Sequence, residues 1–371
     1  MDVLVAFRVD ASEHIGTGHV IRCLTLADEL TCQGHQCVFI CRKHQGHLTD
    51  LIAGKGYQLF ILPAPETMEF NSSAYLNDSY GDWLGVPWQQ DAKETREALA
   101  LIDADWLVVD HYALDARWEQ QVAMVVDQIM VIDDLANRQH ECALLLDQNL
   151  GRVASDYDWL VPKDCLRLIG PDFSLLRPEF ALRREFSLKR REQPELKRVL
   201  ISLGGVDRTN VTGQVLDSLV ESELPRDTQL DIVMGGSAPH LDEVQQQANR
   251  LPFKATVNVN VPDMAERMCL ADLSIGAAGG TSWERCCLGL PAVLVILADN
   301  QVSGARALEA AGATSTITDP DTVQAYLPSV MAEIGRFDCL QRMSRAAAAI
   351  TDGKGTSRVL ESILTVSRNA S

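Results

Sequence analysis

Residues 14–19 read H-I-G-T-G-H, between the apolar run Val3–Val9 and a stretch with Val20, Leu24, Ala27 and Leu30 at helical spacing. Two glycines in a strand-to-helix turn let an oxyanion come close to the backbone, which makes Gly16 and Gly18 candidate substrate contacts. His19 stands where the helix begins. The helix dipole there disfavours a second proton on the ring, so the imidazole is left able to accept one, as a general base must. A partly buried histidine bonded within its turn would give the same sequence, and the local pattern leaves both readings open. Asp10, Ser12 and Glu13 could orient the ring, bind substrate hydroxyls, or simply shape the turn.

Two further glycine turns follow apolar runs. S-L-G-G-V-D-R-T-N (202–210) offers Gly204 and Gly205, and G-A-A-G-G-T-S-W-E (276–284) offers Gly279 and Gly280. In the latter, Thr281 or Ser282 can cap a helix and Glu284 falls on its first turn. Free N–H groups and the positive end of a helix dipole suit a diphosphate there. One such turn is as readily a tight connection between strand and helix; three at strand ends, in both halves of the chain, argue for anion binding. A dinucleotide fingerprint is not met: position 21 is Ile21, and the second strand ends in Cys41-Arg42-Lys43 rather than an acid. The chain has no H-E-x-x-H and no hydrolase nucleophile elbow. Asp133-Asp134 could hold a metal, but capping of the next turn is the simpler reading. The expected chemistry uses neither metal nor cofactor.

These residues need elements to position them. Val3–Val9, Gln36–Cys41, Gln58–Leu62, Trp106–Val109, Ile129–Ile132 and Leu144–Leu146 read as buried strands alternating with helices. After the charge-dense stretch Leu182–Arg198 the alternation resumes with Val199–Leu203, Gln229–Met234, Ala255–Val259, Leu273–Ile275 and Ala292–Ile296. Helices are expected to start near Asn210, Ala238, Met264, Ser282 and Ser303. The fold class is α/β, with two Rossmann-like doubly wound parallel-sheet domains facing an interdomain cleft. The expected boundaries are 1–185 for the first domain, 186–197 for a linker and 198–371 for the second, with the last helix open to crossing back. Ligands of such sheets bind at the carboxyl ends of the strands. Asn71–Gln90, with two tryptophans, reads as a long loop or lid.

Composition narrows the partners. With 371 residues, 46% hydrophobic and 23% charged, the chain is of globular type and long enough for two domains. A formal net charge of −18 argues against nucleic acid as a partner, and a small anion would have to be held by backbone N–H groups. Ten cysteines show no metal spacing beyond the isolated Cys37 and Cys41, and read, with Cys286-Cys287, as buried thiols of a reducing cytoplasm. The longest aliphatic run, Ala292–Ala298, is far short of a membrane span, so membrane insertion is not expected. Oligomeric state is left at monomer or weak dimer.

R-V-D-A-S-E-H-I-G-T-G-H-V-I-R-C-L-T-L-A (8–27), D-H-Y-A-L-D (110–115), I-D-D-L-A-N-R (132–138), L-D-Q-N (146–149), I-G-P-D-F-S-L-L-R-P-E-F (169–180), S-L-G-G-V-D (202–207), G-G-T-S-W-E-R-C-C-L-G-L-P (279–291) and A-D-N-Q (298–301) together resemble the UDP-sugar hydrolases of pseudaminic acid biosynthesis. P-D-M-A-E-R-M (262–268) resembles the related peptidoglycan N-acetylglucosaminyl transferases. The resemblance implies a GT-B fold and cleavage of UDP-2,4-diacetamido-2,4,6-trideoxy-β-L-altropyranose to UDP and the free sugar. It also implies that His19 acts on the attacking water, that Asn300 contacts substrate and that Tyr112 lies at the sugar. Glu284 would meet the ribose and Met264 the uracil. The partner expected is thus a small-molecule UDP-sugar. A transferase using an acceptor hydroxyl, and a non-catalytic nucleotide-sugar binding module, are the alternatives.

Overall fold

The computed structural model describes residues 2–65 and 80–370. The chain divides into two compact units, one formed by Met1–Leu175 with Thr356–Ser371 and the other by Leu176–Gly355.

In the first unit β1 (Leu4–Val9), β2 (Gln36–Arg42), β3 (Gln58–Leu62), β4 (Trp106–Asp110), β5 (Gln128–Ile132), β6 (Leu144–Asp147) and β7 (Leu166–Ile169) form one sheet in the order β3-β2-β1-β4-β5-β6-β7. Every pairing is parallel. Successive side chains alternate between faces. Val5, Phe7 and Val9 thus meet Val20, Leu24, Ala27 and Leu30 of helix Gly18–Cys32 on one side, together with Val359, Leu360 and Ile363 of the last helix. Ala6 shares the other face with Ile40, Val109 and Trp118. Arg8 lies on that second face, fully buried, and pairs with Asp91 of helix Trp88–Leu99 through Nε (3.2 Å) and Nη2 (2.6 Å). Asp91 also receives Arg42 Nη2 at 2.6 Å, so β1 and β2 are tied to one helix by buried charge.

The second unit repeats the plan with β8 (Arg198–Ser202), β9 (Gln229–Met234), β10 (Lys254–Val259), β11 (Leu273–Ala277), β12 (Ala292–Val295) and β13 (Thr314–Ile317), ordered β10-β9-β8-β11-β12-β13 and again parallel. In both sheets the order reverses beside the first strand. In open α/β sheets the loops leaving the two central strands diverge at such a point, and ligands bind at the carboxyl ends of those strands. The register Val9↔Asp110 sets the residues after β1 and β4 side by side.

Three expectations change. L-R-L-I of β7 and T-S-T-I of β13 are strands that hydrophobic patterning does not mark, because they are edge strands with partly exposed side chains. The charge-dense stretch expected as a linker is largely the helix Pro178–Arg190 of the second unit. Its basic residues end helices instead: Arg184 donates to the carbonyls of Cys287 and Ala348, and Arg191 to those of Met268 and Ala271. The boundary accordingly falls between Leu175 and Leu176, and residues 356–371 group with the first unit. Of the expected lid, 71–79 lie outside the described residues, while Gly81–Leu84 form a 3₁₀ turn and Trp88 begins a helix.

Candidate functional site

The turn after β1 is built by Ser12 and Gly16. Ser12 Oγ accepts from the N–H groups of His14 (3.1 Å) and Ile15 (2.9 Å), and Ser12 O accepts from Gly16 N (2.9 Å). Gly16 sits at φ +80°, a conformation a side chain would strain. A Cβ at Gly16 or Gly18 would meet no atom within 4 Å, so open space adjoins this backbone. Thr17 caps the helix without a side-chain bond, and the first turn carries His19, 8% exposed.

His19 Nδ1 lies 2.6 Å from Asp110 Oδ1 at the end of β4. Arg22, one turn further along the same face, grips Asp110 as a fork, with Nε to Oδ2 and Nη2 to Oδ1, both 2.6 Å. Burial would push the Asp110 carboxyl up, but the Arg22 charge, with the hydrogen bonds from Arg22 and His19, outweighs it and holds the group well below the usual carboxylate range. Asp110 is therefore a permanent acceptor. It holds a proton on Nδ1 and leaves Nε2 as the ring's own acceptor. A carboxylate, a partner that the helix dipole alone does not supply, thus opposes the helix end and decides the tautomer.

An aromatic wall stands against the ring. Tyr112 meets His19 edge-on, with centroids 4.7 Å apart and planes at 83°. Trp83 stacks on Tyr112 at 5.4 Å and 22°, and Tyr80 closes on both. Tyr112 Oη donates to Asp134 Oδ2 at 2.6 Å, and burial together with that carboxylate drives its phenol well above its ordinary value, so it stays a neutral donor. Asp133 does cap, accepting from Ala136 N at 2.8 Å, while Asp134 turns toward Tyr112 and Arg22.

Asp10, expected to touch substrate, has no accessible surface. Its Oδ1 receives Arg8 Nη1 (2.7 Å) and the Arg42 N–H (2.6 Å), and its Oδ2 faces His44 and His111, each at 3.5 Å. It ties the end of β1 to the end of β2. His111 is held neutral, pushed down to about 3 chiefly by burial, and its Nδ1 accepts from Ala113 N.

In the second unit the two glycine turns differ. After β8, Gly204 (φ +96°) and Gly205 are exposed, but the following helix is already filled. Asp207 accepts from Val211 N and Thr212 N, both at 2.9 Å, and Asn210 accepts from Gly213 N. A carboxylate thus occupies the place where an anion was expected. After β11, Gly280 and Thr281 are exposed at the start of helix Thr281–Cys287, while Ser282 is buried with its Oγ lacking a partner among the described residues. Glu284 is nearly buried, and burial raises it to about 7 against the opposing charges of Arg177 and Arg285. Asn300 is exposed on the turn after β12, and the neighbouring Gln301 Nε2 lies 4.0 Å from where a Cβ of Gly279 would stand. Met264 opens helix Met264–Leu270 after β10, half-buried. The structure therefore brings Gly279, Gly280, Thr281, Glu284 and Asn300 to adjacent strand ends and sets Gly204 and Gly205 in a differently filled turn. Asp110, Arg22 and Trp83 are residues not singled out from the sequence, and Asp134, weighed there with Asp133 as a metal holder or turn cap, turns instead toward Tyr112 and Arg22. Arg22 alone carried a local signal, its spacing of three from His19.

Two open parallel sheets of this strand order, each with polar loops at the strand carboxyl ends, define the GT-B fold. Within it, residues 199–358 match the Glycosyltransferase family 28 C-terminal domain. The chain is 22% identical over 295 residues to an uncharacterized protein of Methanocaldococcus jannaschii, covering 78% of this chain and 55% of that one. It is 27% identical over 244 residues to the UDP-2,4-diacetamido-2,4,6-trideoxy-beta-L-altropyranose hydrolase of Campylobacter jejuni, covering 66% and 74%. The match thus spans little more than half the length of the first relative. Among solved structures, MurG of Acinetobacter baumannii superposes with a TM-score of 0.68 at 16% identity, covering 98% of this chain and 100% of that one. That likeness is one of fold. Among the described residues no helix is long and apolar enough to cross a membrane.

Proposed function

We propose that the protein hydrolyses a UDP-sugar, with UDP-2,4-diacetamido-2,4,6-trideoxy-β-L-altropyranose as the substrate suggested by the Campylobacter relative. The observation that carries the reading is the His19–Asp110 pair at 2.6 Å, with Nε2 left to accept a proton beside open glycine backbone. Water loses a proton to His19 Nε2 as its oxygen attacks the anomeric carbon. The bond from that carbon to the diphosphate oxygen breaks, and its electron pair leaves with UDP. Asp110 stabilises the imidazolium that forms, and Arg22 keeps Asp110 ionised. Gly279, Gly280 and Thr281 would offer N–H groups to the diphosphate, where charge grows in the transition state. Glu284 would bond the ribose, Asn300 would contact the substrate and Met264 would line the base.

UDP release without any acceptor, compared between wild type and His19→Ala, tests this. A general base is worth about 10²–10⁴-fold, and release should fall by that factor. In ¹⁸O-water the label should appear in an inverted sugar; label in UDP would place the attack at phosphorus and remove the mechanism. The match of residues 199–358 to a glycosyltransferase domain favours one other reading, transfer to an acceptor hydroxyl. Release that begins only when an acceptor is added would establish it. UDP binding with no turnover under either condition would leave a nucleotide-sugar binding module.

A further inference from the structure

Asp133-Asp134 and L-D-Q-N meet beside His19, and the reaction just described makes no use of them. Asp134 Oδ2 takes two donors, Tyr112 Oη at 2.6 Å and Arg22 Nη1 at 2.8 Å. Its Oδ1 takes Asn149 Nδ2 at 3.1 Å, and the same amide donates to Asp147 Oδ1 at 2.8 Å. The Asp134 carboxylate is thus fixed from behind by Asn149 and spends its front on two groups that both end at His19. One route is polar, from Arg22 through its fork on Asp110 to Nδ1. The other is packing, through the Tyr112 ring, which makes a T-shaped contact with the imidazole at 4.7 Å. Asp134 and Arg22 side chains are each 12% exposed, so water replaces neither partner cheaply.

We propose that Asp134 is a positioning residue for His19, holding the imidazole on one side through Arg22 and Asp110 and on the other through Tyr112. The proposal rests on His19 being the base. Asp134 itself touches neither water nor sugar in this scheme. It acts by setting the direction of Nε2, and a ring displaced by about 1 Å can cost up to about a hundredfold in rate. Asn149 serves the same end one step further out, which gives the L-D-Q-N stretch a role that a metal or cap reading does not.

Asp134→Asn keeps the shape and removes the charge. It should lower kcat about ten- to a hundredfold with KM and UDP binding little changed. Tyr112→Phe should lower kcat in the same sense, and the double variant should fall no further than Asp134→Asn alone, because both act on one ring. The second readout is independent of turnover: the His19 Nδ1–H proton resonance, assigned by its loss in His19→Gln. It should shift or broaden in Asp134→Asn and in Tyr112→Phe. Should Asp134→Asn fail to fold, Tyr112→Phe still tests the packing arm. Wild-type hydrolysis with an unmoved resonance and unchanged kcat in both variants would overturn the positioning role and leave the hydrolase reading standing. A resonance that moves in a wild-type background releasing no UDP would overturn the hydrolase reading and keep the positioning role.

Discussion

Asp147 shows how one residue can report on the carboxylate cluster beside the site. It accepts from the Asn149 and Tyr157 side chains, lies near Asp134 and Asp133, and is pushed up to about 7, first by burial and then by the Asp134 charge. In the unfolded chain the same group titrates near 3.9. The folded state therefore binds its proton more tightly. That contribution is fully present below about pH 4, is lost as pH rises toward 7 and is then constant. Asp147→Asn has no proton to lose. The stability of wild type relative to this variant, from urea midpoints, should fall by up to about 4 kcal/mol between pH 4 and 8, at roughly 1.4 kcal/mol per unit over about three units. A difference flat with pH would mean that Asp147 is ionised throughout.

At the scale of elements, the buried charges of β1 and β2 matter more than their apolar neighbours suggest. Asp91, from helix Trp88–Leu99, receives Arg8, Arg42 and the Trp118 indole N–H at 3.0 Å. Arg8 also pairs with Asp10, which in turn takes the Arg42 N–H of β2. Removing Asp91 takes one charged partner from each of two buried guanidinium groups, leaving Arg8 to Asp10 and Arg42 to Glu94, and breaking a buried pair in this way costs about 3–5 kcal/mol. Asp91→Ala should therefore lose roughly that much stability by urea unfolding, and hydrolysis should suffer because the network braces β1, which leads into the His19 turn. An effect below about 1 kcal/mol would show that water reaches the arginines. A strand reading by apolar count passes over this network, since Arg8 interrupts V-A-F-R-V without changing its period.

For the whole molecule, the chain crosses between its two units at Leu175–Leu176 and again at Gly355–Thr356. The second unit is one continuous segment, whereas the first is completed by the last helix. Val359, Leu360 and Ile363 are buried in its core, and Trp106 Nε1 donates to Ser367 Oγ at 2.7 Å. Burying three such aliphatic side chains is worth about 5–9 kcal/mol, as much as the net stability of many domains. Residues 176–355 expressed alone should fold cooperatively, while residues 1–175 should not do so without residues 356–371 supplied in the same chain. Cooperative thermal unfolding of 1–175 by itself would contradict this account.

Hydrophobic period and glycine placement were enough to read eleven of the strands, the parallel doubly wound class and His19 at a helix start, because each is set by residues close in sequence. The central strands are apolar since both their faces are covered, and the edge strands β7 and β13 escaped because theirs are not. What tertiary structure decided is everything that depends on distant partners: Asp110 brought to His19 by the β1–β4 pairing, Asp207 filling a helix end that its glycines seemed to leave open to a ligand, Asp10 withdrawn beneath the surface. The same applies to the charged helix Pro178–Arg190 and its C-cap Arg191, where Arg184 and Arg191 look like residues of a solvated linker until the carbonyls they cap are in place. A carboxylate or guanidinium carries no local sign of its partner. Pairing across β1 and β4 supplies it, from a residue 91 positions away.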